Sequence, residues 1–159
     1  MASNPIPGSS SKFISIEEMK PMVADAAAEF GIPEDSLWRK IRAENSGSPE
    51  GAANLTKVKV DAISPKNARG IMQVTPIALQ DVIEAGLIPE NTKLEGLQPQ
   101  DQIRVGAAYI KRLRNYSTDP AVEDAMYNFG PKARFQMDNL PKETRDYLKK
   151  TAAVIPTGR

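Results

Sequence analysis

The sequence contains no cysteine and no histidine among its 159 residues. Without cysteine the chain can form neither a disulfide nor a thiol nucleophile, and without histidine it lacks a Ser-His pair and the usual zinc ligands. Glycine-rich phosphate loops of the G-x-x-x-x-G-K-[ST] or G-x-G-x-x-G type are also missing, which disfavours nucleotide chemistry. If the chain is an enzyme without an organic cofactor, carboxylates, tyrosine, lysine or serine must carry the catalysis.

The chain also lacks an excess of charge of one sign and a long apolar run. Its 21 basic and 20 acidic residues leave a net charge of +1, so we expect no nucleic-acid partner. No apolar run approaches the ~18 residues that span a bilayer, so we expect no integral membrane segment. Residues 1–14 are rich in proline and serine and lack the apolar region of a secretory signal peptide, which predicts a flexible arm. Residues 15–159 then form a single domain.

Caps and helical spacing predict a mainly α fold of several short helices. Ser15 and Glu18 fit a capping box, and Pro21 is interpreted as the first turn of the helix that follows. Thr75 is an N-cap followed by proline at the first helical position. Residues 54–62 predict a small β-hairpin, with an ordered loop as the alternative. One later helix presents a continuous apolar face that we expect in the core: Ile103, Ala107, Ile110 and Leu113.

One carboxylate interrupts the apolar face of a predicted helix that begins near Pro33. With Leu37 taken as zero and about 100° per residue, Trp38 lies at about 100°, Ile41 at about 40° and Glu44 at about 340°. Glu44 therefore falls in the sector that should face the core, in the last turn of the helix. Apolar surroundings and a helix C-terminus both raise the pKa of a carboxyl group, which suits a general acid that must hold its proton near neutral pH.

Four short blocks in a fixed order resemble the soluble lytic transglycosylase domain, a family with a lysozyme-like α fold. The blocks are IRAENSG at 41–47, AISPKNARGIMQVTP at 62–76, DAMYNFGPKA at 124–133 and LPKETRDYL at 140–148. In the family they correspond to a helix that ends in Glu-Ser, a block around Gly-Leu-Met-Gln, an Ala-Tyr-Asn-Ala-Gly-Pro block and a Glu-Thr-Arg-x-Tyr-Val block. The resemblance spans roughly residues 20 to 150 and implies the same fold for this chain.

The resemblance implies that Glu44 is the catalytic acid and base of an enzyme that cleaves the glycan strands of peptidoglycan. In the family this residue protonates the oxygen that links N-acetylmuramic acid to N-acetylglucosamine, and the muramic 6-hydroxyl then attacks C1. The product carries a 1,6-anhydro ring, so no second carboxylate, metal or cofactor is required. The same match implies that Met72 and Gln73 lie beside the cleft, that the backbone at Gly70 approaches the acid closely, and that the Tyr127 hydroxyl lies near Glu44. The further binding and support positions are Asn45, Ser64, Asn128, Glu143 and Tyr147.

Two positions depart from the family pattern and keep a hydrolase open as the alternative. Asn45 stands where the family usually has serine, and Gln73 follows Glu44 by 29 residues, a longer spacing that indicates an insertion. Goose-type lysozymes have a similar fold and carry carboxylates there that activate water. Their aspartate two residues after the Met-Gln pair is Thr75 here, which leaves Asp61 or Glu50 as the candidate second carboxylate.

A third interpretation is a non-catalytic module that binds peptidoglycan and retains only the fold. The joint presence of Glu44, Gln73, Tyr127 and Glu143 argues against it, since a structural protein has no need of that set. The sequence also predicts delivery to the bacterial wall by a phage virion or a specialised secretion apparatus, whose proteins would be further partners. Lysines 149 and 150 are interpreted as cations of the last helical turn.

Overall fold

A computed structural model describes residues 12–154 and has the mainly α architecture expected from the sequence. Most of these residues lie in short helices, and one small antiparallel sheet accompanies them. The elements in chain order are β1 (Phe13–Ser15), α1 (Ile16–Phe30), α2 (Glu34–Glu44), α3 (Pro49–Ala53), β2 (Lys57–Lys59), α4 (Pro76–Glu84), α5 (Pro99–Leu113), α6 (Pro120–Phe129), a 3₁₀ helix (Pro131–Phe135) and α7 (Lys142–Ala152).

Helix α1 begins where its capping box predicts and not at its proline. The Ser15 side chain accepts a hydrogen bond from the Glu18 backbone, and the Glu18 carboxylate accepts one from the Ser15 backbone. Pro21 lies inside the helix, so its interpretation as the first turn is wrong. The reciprocal cap satisfies two backbone donors and thereby sets the first turn at Ile16, five residues before the proline.

The small sheet differs from the predicted hairpin. Strand β2 lies within the expected 54–62 segment, but it pairs with β1 in antiparallel register, with Ile14 opposite Val58. Phe13 and Ile14, which the sequence assigned to a flexible arm, therefore lie in a strand, and the part of that arm at 1–11 lies outside the described residues. Both Ile14 and Val58 are buried, and this shared apolar face explains why the two segments pair across more than forty residues of chain.

Helix α5 lies in the centre of the domain. Its predicted apolar face, Ile103 to Leu113, is buried, and the helix packs against α1, α4, α2 and α6. Helix α2 in turn packs against α6 and α7, which places the C-terminal end of α2 beside the two blocks at 124–133 and 140–148. In the part of the chain that the structure describes, no helix has both the length and the apolar character needed to span a membrane.

A buried ion cluster joins α2 to α6. Lys40 is fully buried and contacts two carboxylates, Glu123 and Asp124, with a distance of 2.6 Å to Asp124. Such a cluster needs several partners at once because each buried charge loses its hydration. The further members donate to the same carboxylates: Ser36, Arg39 and Arg114.

The insertion after α2 is ordered by a residue of α2 itself. It forms α3, whose N-terminus is capped by the Ser48 side chain, and then strand β2. The guanidinium of Arg42 donates to the carbonyls of Ala52 and Leu55, at 3.1 Å each, which satisfies backbone groups at the end of α3. The insertion is therefore held against the helix that carries Glu44.

Candidate active site

Glu44 is the last residue of α2, and its side chain remains partly open to solvent. Protein atoms surround the rest of the carboxyl, and this burial raises its pKa to about 8. Tyr147, Lys150 and Lys40 act in the opposite direction, while the charge of Glu143 raises the pKa further. The group can therefore hold a proton near neutral pH and still be reached by a substrate, as a general acid requires.

Two tyrosines from different helices accompany this carboxyl. Tyr147 on α7 is buried, and its hydroxyl has no hydrogen-bond partner among the described residues. The same hydroxyl nevertheless lowers the pKa of Glu44, which means that it favours the ionised carboxylate. It therefore lies near the carboxyl without closing a hydrogen bond of ordinary geometry. Tyr127 on α6 is half-buried, and burial and the charge of Glu44 raise the pKa of its hydroxyl well above the usual range. Both phenols remain protonated donors at neutral pH.

Tyr127 also connects α6 to the loop formed by residues 62–74. Its hydroxyl donates a 2.7 Å hydrogen bond to the carbonyl of Met72, and its ring packs on Tyr109 with centroids 5.7 Å apart. The predicted proximity of Tyr127 to Glu44 is consistent with the electrostatic effect of Glu44 on the Tyr127 pKa.

Asn45 links the end of α2 to this same loop. Its side-chain amide donates to the carbonyls of Ile41, at 2.6 Å, and Ile71, at 2.9 Å. A serine hydroxyl has only one hydrogen to donate, whereas the asparagine amide has two. Asn45, the residue after Glu44, therefore joins the loop to the last turn of α2. These two hydrogen bonds explain how asparagine fits at this position.

The loop requires glycine at position 70 because of its backbone conformation and a close side chain on α5. We predicted close approach of its backbone to the catalytic acid, but a Cβ at Gly70 would collide with the side-chain amide of Gln102. The residue also has φ of +78°, in the region that favours glycine. The contact that requires glycine here is therefore with Gln102, a positioning side chain on α5.

Gln102 was not predicted from the sequence as a residue of the site, although it holds the loop in place. Its amide accepts from the backbone N–H of Ile71 at 2.7 Å and donates to the carbonyls of Val60 and Leu97. A signal was present, because Gln102 lies one helical turn before Gly106 on the apolar side of α5. A polar residue in that sector indicates an internal partner.

Met72 does not line the cleft with its side chain, and this part of the prediction is wrong. The side chain is fully buried and fills the space above Gly106, where a Cβ would meet it at 2.6 Å. Because α5 offers a glycine at this point, the flexible thioether packs into the core. Met72 contributes to the site through its backbone carbonyl, which accepts from Tyr127.

Gln73 occupies an uncommon backbone conformation, with φ of +48°. Its amide nitrogen donates to the carbonyls of Gly70, at 3.0 Å, and Ala62, at 3.2 Å. Gln73 is half-buried, and no hydrogen bond to its amide oxygen is found within residues 12–154. A left-handed conformation at a non-glycine residue is strained, and tight local hydrogen bonding compensates for it here.

Asn128 on α6 and Glu143 on α7, two further predicted binding positions, lie close to each other. Asn128 accepts a 2.9 Å hydrogen bond from the Thr144 hydroxyl, and its amide nitrogen lies 3.5 Å from the Glu143 carboxylate. Glu143 is exposed in the first turn of α7. These contacts connect α6 to α7 and leave the Glu143 carboxylate accessible.

Ser64 has a structural task in the loop. Its hydroxyl oxygen accepts from the backbone N–H groups of Lys66 and Ala68, at 3.2 and 3.1 Å. This pattern is typical of serine in turns. The predicted role in substrate binding is not needed to explain the residue.

The two candidate carboxylates of the hydrolase interpretation both belong to the segment that follows α2. Glu50 is exposed on α3, and exposed Asp61 lines a cavity of about 730 Å³ that does not include Glu44. Neither is among the main electrostatic influences on Glu44, whereas Glu143 is. Thr75, at the position of the goose-type aspartate, caps α4 by accepting from the Ala78 backbone.

The sequence model of the transglycosylase SLT domain matches residues 25–148. That span covers most of the chain and includes all four blocks. The protein therefore belongs to the transglycosylase SLT domain family. A search among curated proteins finds no match.

Solved structures of lytic transglycosylases share the fold. An inactive mutant of lytic transglycosylase Slt from Pseudomonas aeruginosa matches with a TM-score of 0.66 at 20% identity, over 85% of this chain and 23% of that chain. The 70 kDa soluble lytic transglycosylase from Escherichia coli matches with a TM-score of 0.66 at 22% identity, over 84% and 22%. A complex of the 70-kDa soluble lytic transglycosylase with bulgecin A matches with a TM-score of 0.65 at 20% identity, over 82% of this chain and 22% of that chain. The chain thus spans less than a quarter of the length of these proteins.

Proposed function

We propose that this protein is a peptidoglycan lytic transglycosylase in which Glu44 is both the general acid and the general base. The observation that supports this most strongly is the partly accessible carboxyl at the end of α2, whose pKa burial raises to about 8. Family membership supplies the substrate class, the glycan strands of the bacterial cell wall.

The reaction needs one carboxyl and no added water. Glu44 donates its proton to the oxygen between C1 of N-acetylmuramic acid and N-acetylglucosamine, and the bond from C1 to that oxygen breaks. The 6-hydroxyl oxygen of the muramic residue forms the new bond to C1, and its proton passes to the Glu44 carboxylate. The acid is thereby regenerated, and the products are a 1,6-anhydro end and a free N-acetylglucosamine end.

The surrounding residues bind and orient the glycan in this proposal. The amide oxygen of Gln73 and the carboxylate of Glu143 accept hydrogen bonds from sugar hydroxyls. Tyr147 directs its hydroxyl toward Glu44, and Tyr127 fixes the position of the 62–74 loop beside the acid. Such positioning matters because small displacements of a reacting group reduce the rate strongly.

Digestion of purified peptidoglycan followed by mass spectrometry of the released muropeptides tests the reaction. We expect anhydro ends, each one water lighter than a hydrolysed end, from the wild type and none from Glu44→Gln. Hydrated reducing ends throughout would overturn the lyase in favour of a muramidase. Binding of peptidoglycan without release of products by either protein would indicate the non-catalytic module.

The hydrolase interpretation can be tested at its own carboxylates. An inverting hydrolase needs a second carboxyl about 6.5 to 9.5 Å from the first to activate water. Glu50→Gln and Asp61→Asn remove the candidates in the insertion without changing the volume of the side chains. We expect both variants to retain the activity of the wild type, whereas loss of activity in either would favour hydrolysis.

Delivery by a phage virion or a specialised secretion apparatus stays a prediction. Family membership supports action at the cell wall and leaves the route open. Detection of the protein in purified virions or in a secretion apparatus, and its absence from the cell envelope without them, would support the prediction. Export as an ordinary envelope protein would contradict it.

A further inference from the structure

Lys150 reaches from α7 to the end of the helix that carries Glu44. Its ammonium donates a 2.8 Å hydrogen bond to the carbonyl of Ser46, two residues beyond Glu44. The side chain is half-buried, while its neighbour Lys149 is exposed. Lys150 lies three residues after Tyr147, so both side chains leave the same face of α7.

The charge of Lys150 is balanced differently from that of Lys40, the other lysine that acts on Glu44. Lys40 lies one turn before Glu44 on α2, and Glu123 and Asp124 contact its ammonium directly. Lys150 forms no salt bridge with any residue from 12 to 154, and its hydrogen-bond partner there is a neutral carbonyl. The field of Lys40 is therefore largely cancelled, whereas that of Lys150 acts on its surroundings.

We propose that Lys150 is an electrostatic partner of Glu44 that stabilises the carboxylate formed when Glu44 gives up its proton. The proposal rests on the proposed function of Glu44 as acid and base. Lys150 acts through Glu44 and so is a positioning residue rather than a catalytic one. A cation here assists the proton donation without a second carboxylate, because the negative charge left on Glu44 is stabilised as it develops.

The expected pH dependence follows from the charged and titratable groups that act most strongly on Glu44. Lys40 comes from α2, Tyr127 from α6, and α7 contributes Glu143, Tyr147 and Lys150. Burial and the Glu143 carboxylate favour the protonated acid, and the two lysines favour the ionised form. Removal of the Lys150 charge therefore shifts the ionisation of Glu44 to higher pH.

A purely structural role makes a different prediction. Lysine near a helix C-terminus can bond to backbone carbonyls there, and Lys150 bonds in a similar way to the Ser46 carbonyl just beyond the end of α2. Lys150→Gln keeps a donor for the Ser46 carbonyl and removes the charge. Lys150→Arg keeps both the charge and the donor, and Lys149→Met is the matched control on the exposed neighbouring position.

The test measures kcat and the pH dependence of product release for the wild type and these three variants, with thermal unfolding as the check of folding. In Lys150→Gln we expect kcat to fall about 3- to 10-fold and the alkaline limb to move up by roughly half to one pH unit. Lys150→Arg and Lys149→Met should behave like the wild type. If Lys150→Gln has the same kcat as the wild type and the same position of the alkaline limb, the proposal is overturned.

A second measurement does not depend on activity. Titration of the ¹³C-labelled Glu44 carboxyl by NMR should give a higher pKa in Lys150→Gln than in the wild type, with Lys149→Met unchanged. Equal values in all three proteins would contradict the role of Lys150. Failure of the wild type to release anhydro products would instead contradict the proposed function, so the two failures are distinguishable.

Discussion

The hydroxyl of Tyr127 donates a 2.7 Å hydrogen bond to the backbone carbonyl of Met72. The bond joins α6 to the 62–74 loop, and Asn45 and Gln102 hold the same loop from α2 and α5. Three helices therefore fix the position of this loop beside Glu44. Each attachment is made to the backbone, so it acts on the path of the loop.

Tyr127→Phe removes the bond to Met72 while keeping the ring. We expect a loss of about 1 kcal/mol in the free energy of unfolding and a fall in kcat of about 10- to 100-fold, because the loop loses one attachment beside the acid. Denaturant unfolding and product release measure the two effects. Tyr116→Phe, at a half-exposed tyrosine, is the control, and equal activity in both variants would contradict the role of Tyr127.

Glu44→Gln should stabilise the protein at neutral pH while abolishing activity. The carboxyl titrates at about 8 in the folded chain against an ordinary value of 4.5. Below about pH 4.5 it is protonated in both states, and between 4.5 and 8 the unfolded chain loses its proton first, so stability falls as pH rises.

The glutamine amide of the Glu44→Gln variant cannot ionise, so the variant does not lose stability as pH rises. We expect the free energy of unfolding of Glu44→Gln to exceed that of the wild type by about 1 to 3 kcal/mol at pH 8, a range reduced because Glu44 is partly exposed. The difference should vanish near pH 4. Thermal or denaturant unfolding across this range measures it, and a constant difference would show that Glu44 titrates normally.

Lys40→Met should destabilise the fold strongly. The change leaves the buried Glu123 and Asp124 carboxylates with Arg39, Arg114 and Ser36 but without the ammonium between them. Breaking a buried ion pair on one side costs about 3 to 5 kcal/mol. Arg104→Met is the matched control, since its pair with Glu29 is partly exposed and such pairs contribute about 0 to 1 kcal/mol. Similar effects in the two variants, measured by denaturant unfolding, would contradict the importance of burial.

Gly70→Ala and Gly86→Ala separate two kinds of backbone constraint. Their φ angles are nearly equal, +78° and +75°, but a Cβ would collide with Gln102 only at Gly70. Both changes should cost about 1 to 2 kcal/mol for the left-handed conformation. Gly70→Ala should cost more and also reduce kcat, because Gln102 must move and release Ile71. Equal stability and activity in the two variants would show that the loop tolerates this shift.

Several features of the site were predictable because they depend on residues close in sequence. The helical phase of Glu44 placed it among apolar residues, and the structure surrounds its carboxyl with protein. The same reasoning could have identified Lys40, which lies at about 300° on that helix, only about 40° from Glu44. Its partners Glu123 and Asp124 could not be identified this way, since they lie more than eighty residues away on α6.

Other features required the folded chain. The inward direction of Met72 depends on the space that Gly106 leaves on α5, and the pairing of β2 with β1 depends on the burial of Ile14 against Val58. Lys150 is equivalent to Lys149 in sequence, and only the packing of α7 against α2 brings one of them to the Ser46 carbonyl. Local patterns contain no information on which of these surfaces meet.

The sequence by itself determined most of the helices, the caps at Ser15 and Thr75, the exclusion of thiol and histidine chemistry, and the family to which the four blocks belong, but not the short helix α3. Periodicity and capping act within a few residues, so their consequences are present in the chain before it folds. Tertiary structure decided which strand pairs with which, which side chains hold the 62–74 loop, and which charges act on Glu44. Those outcomes depend on contacts between residues far apart in sequence, whose distances and solvent exposure exist only once the helices have packed.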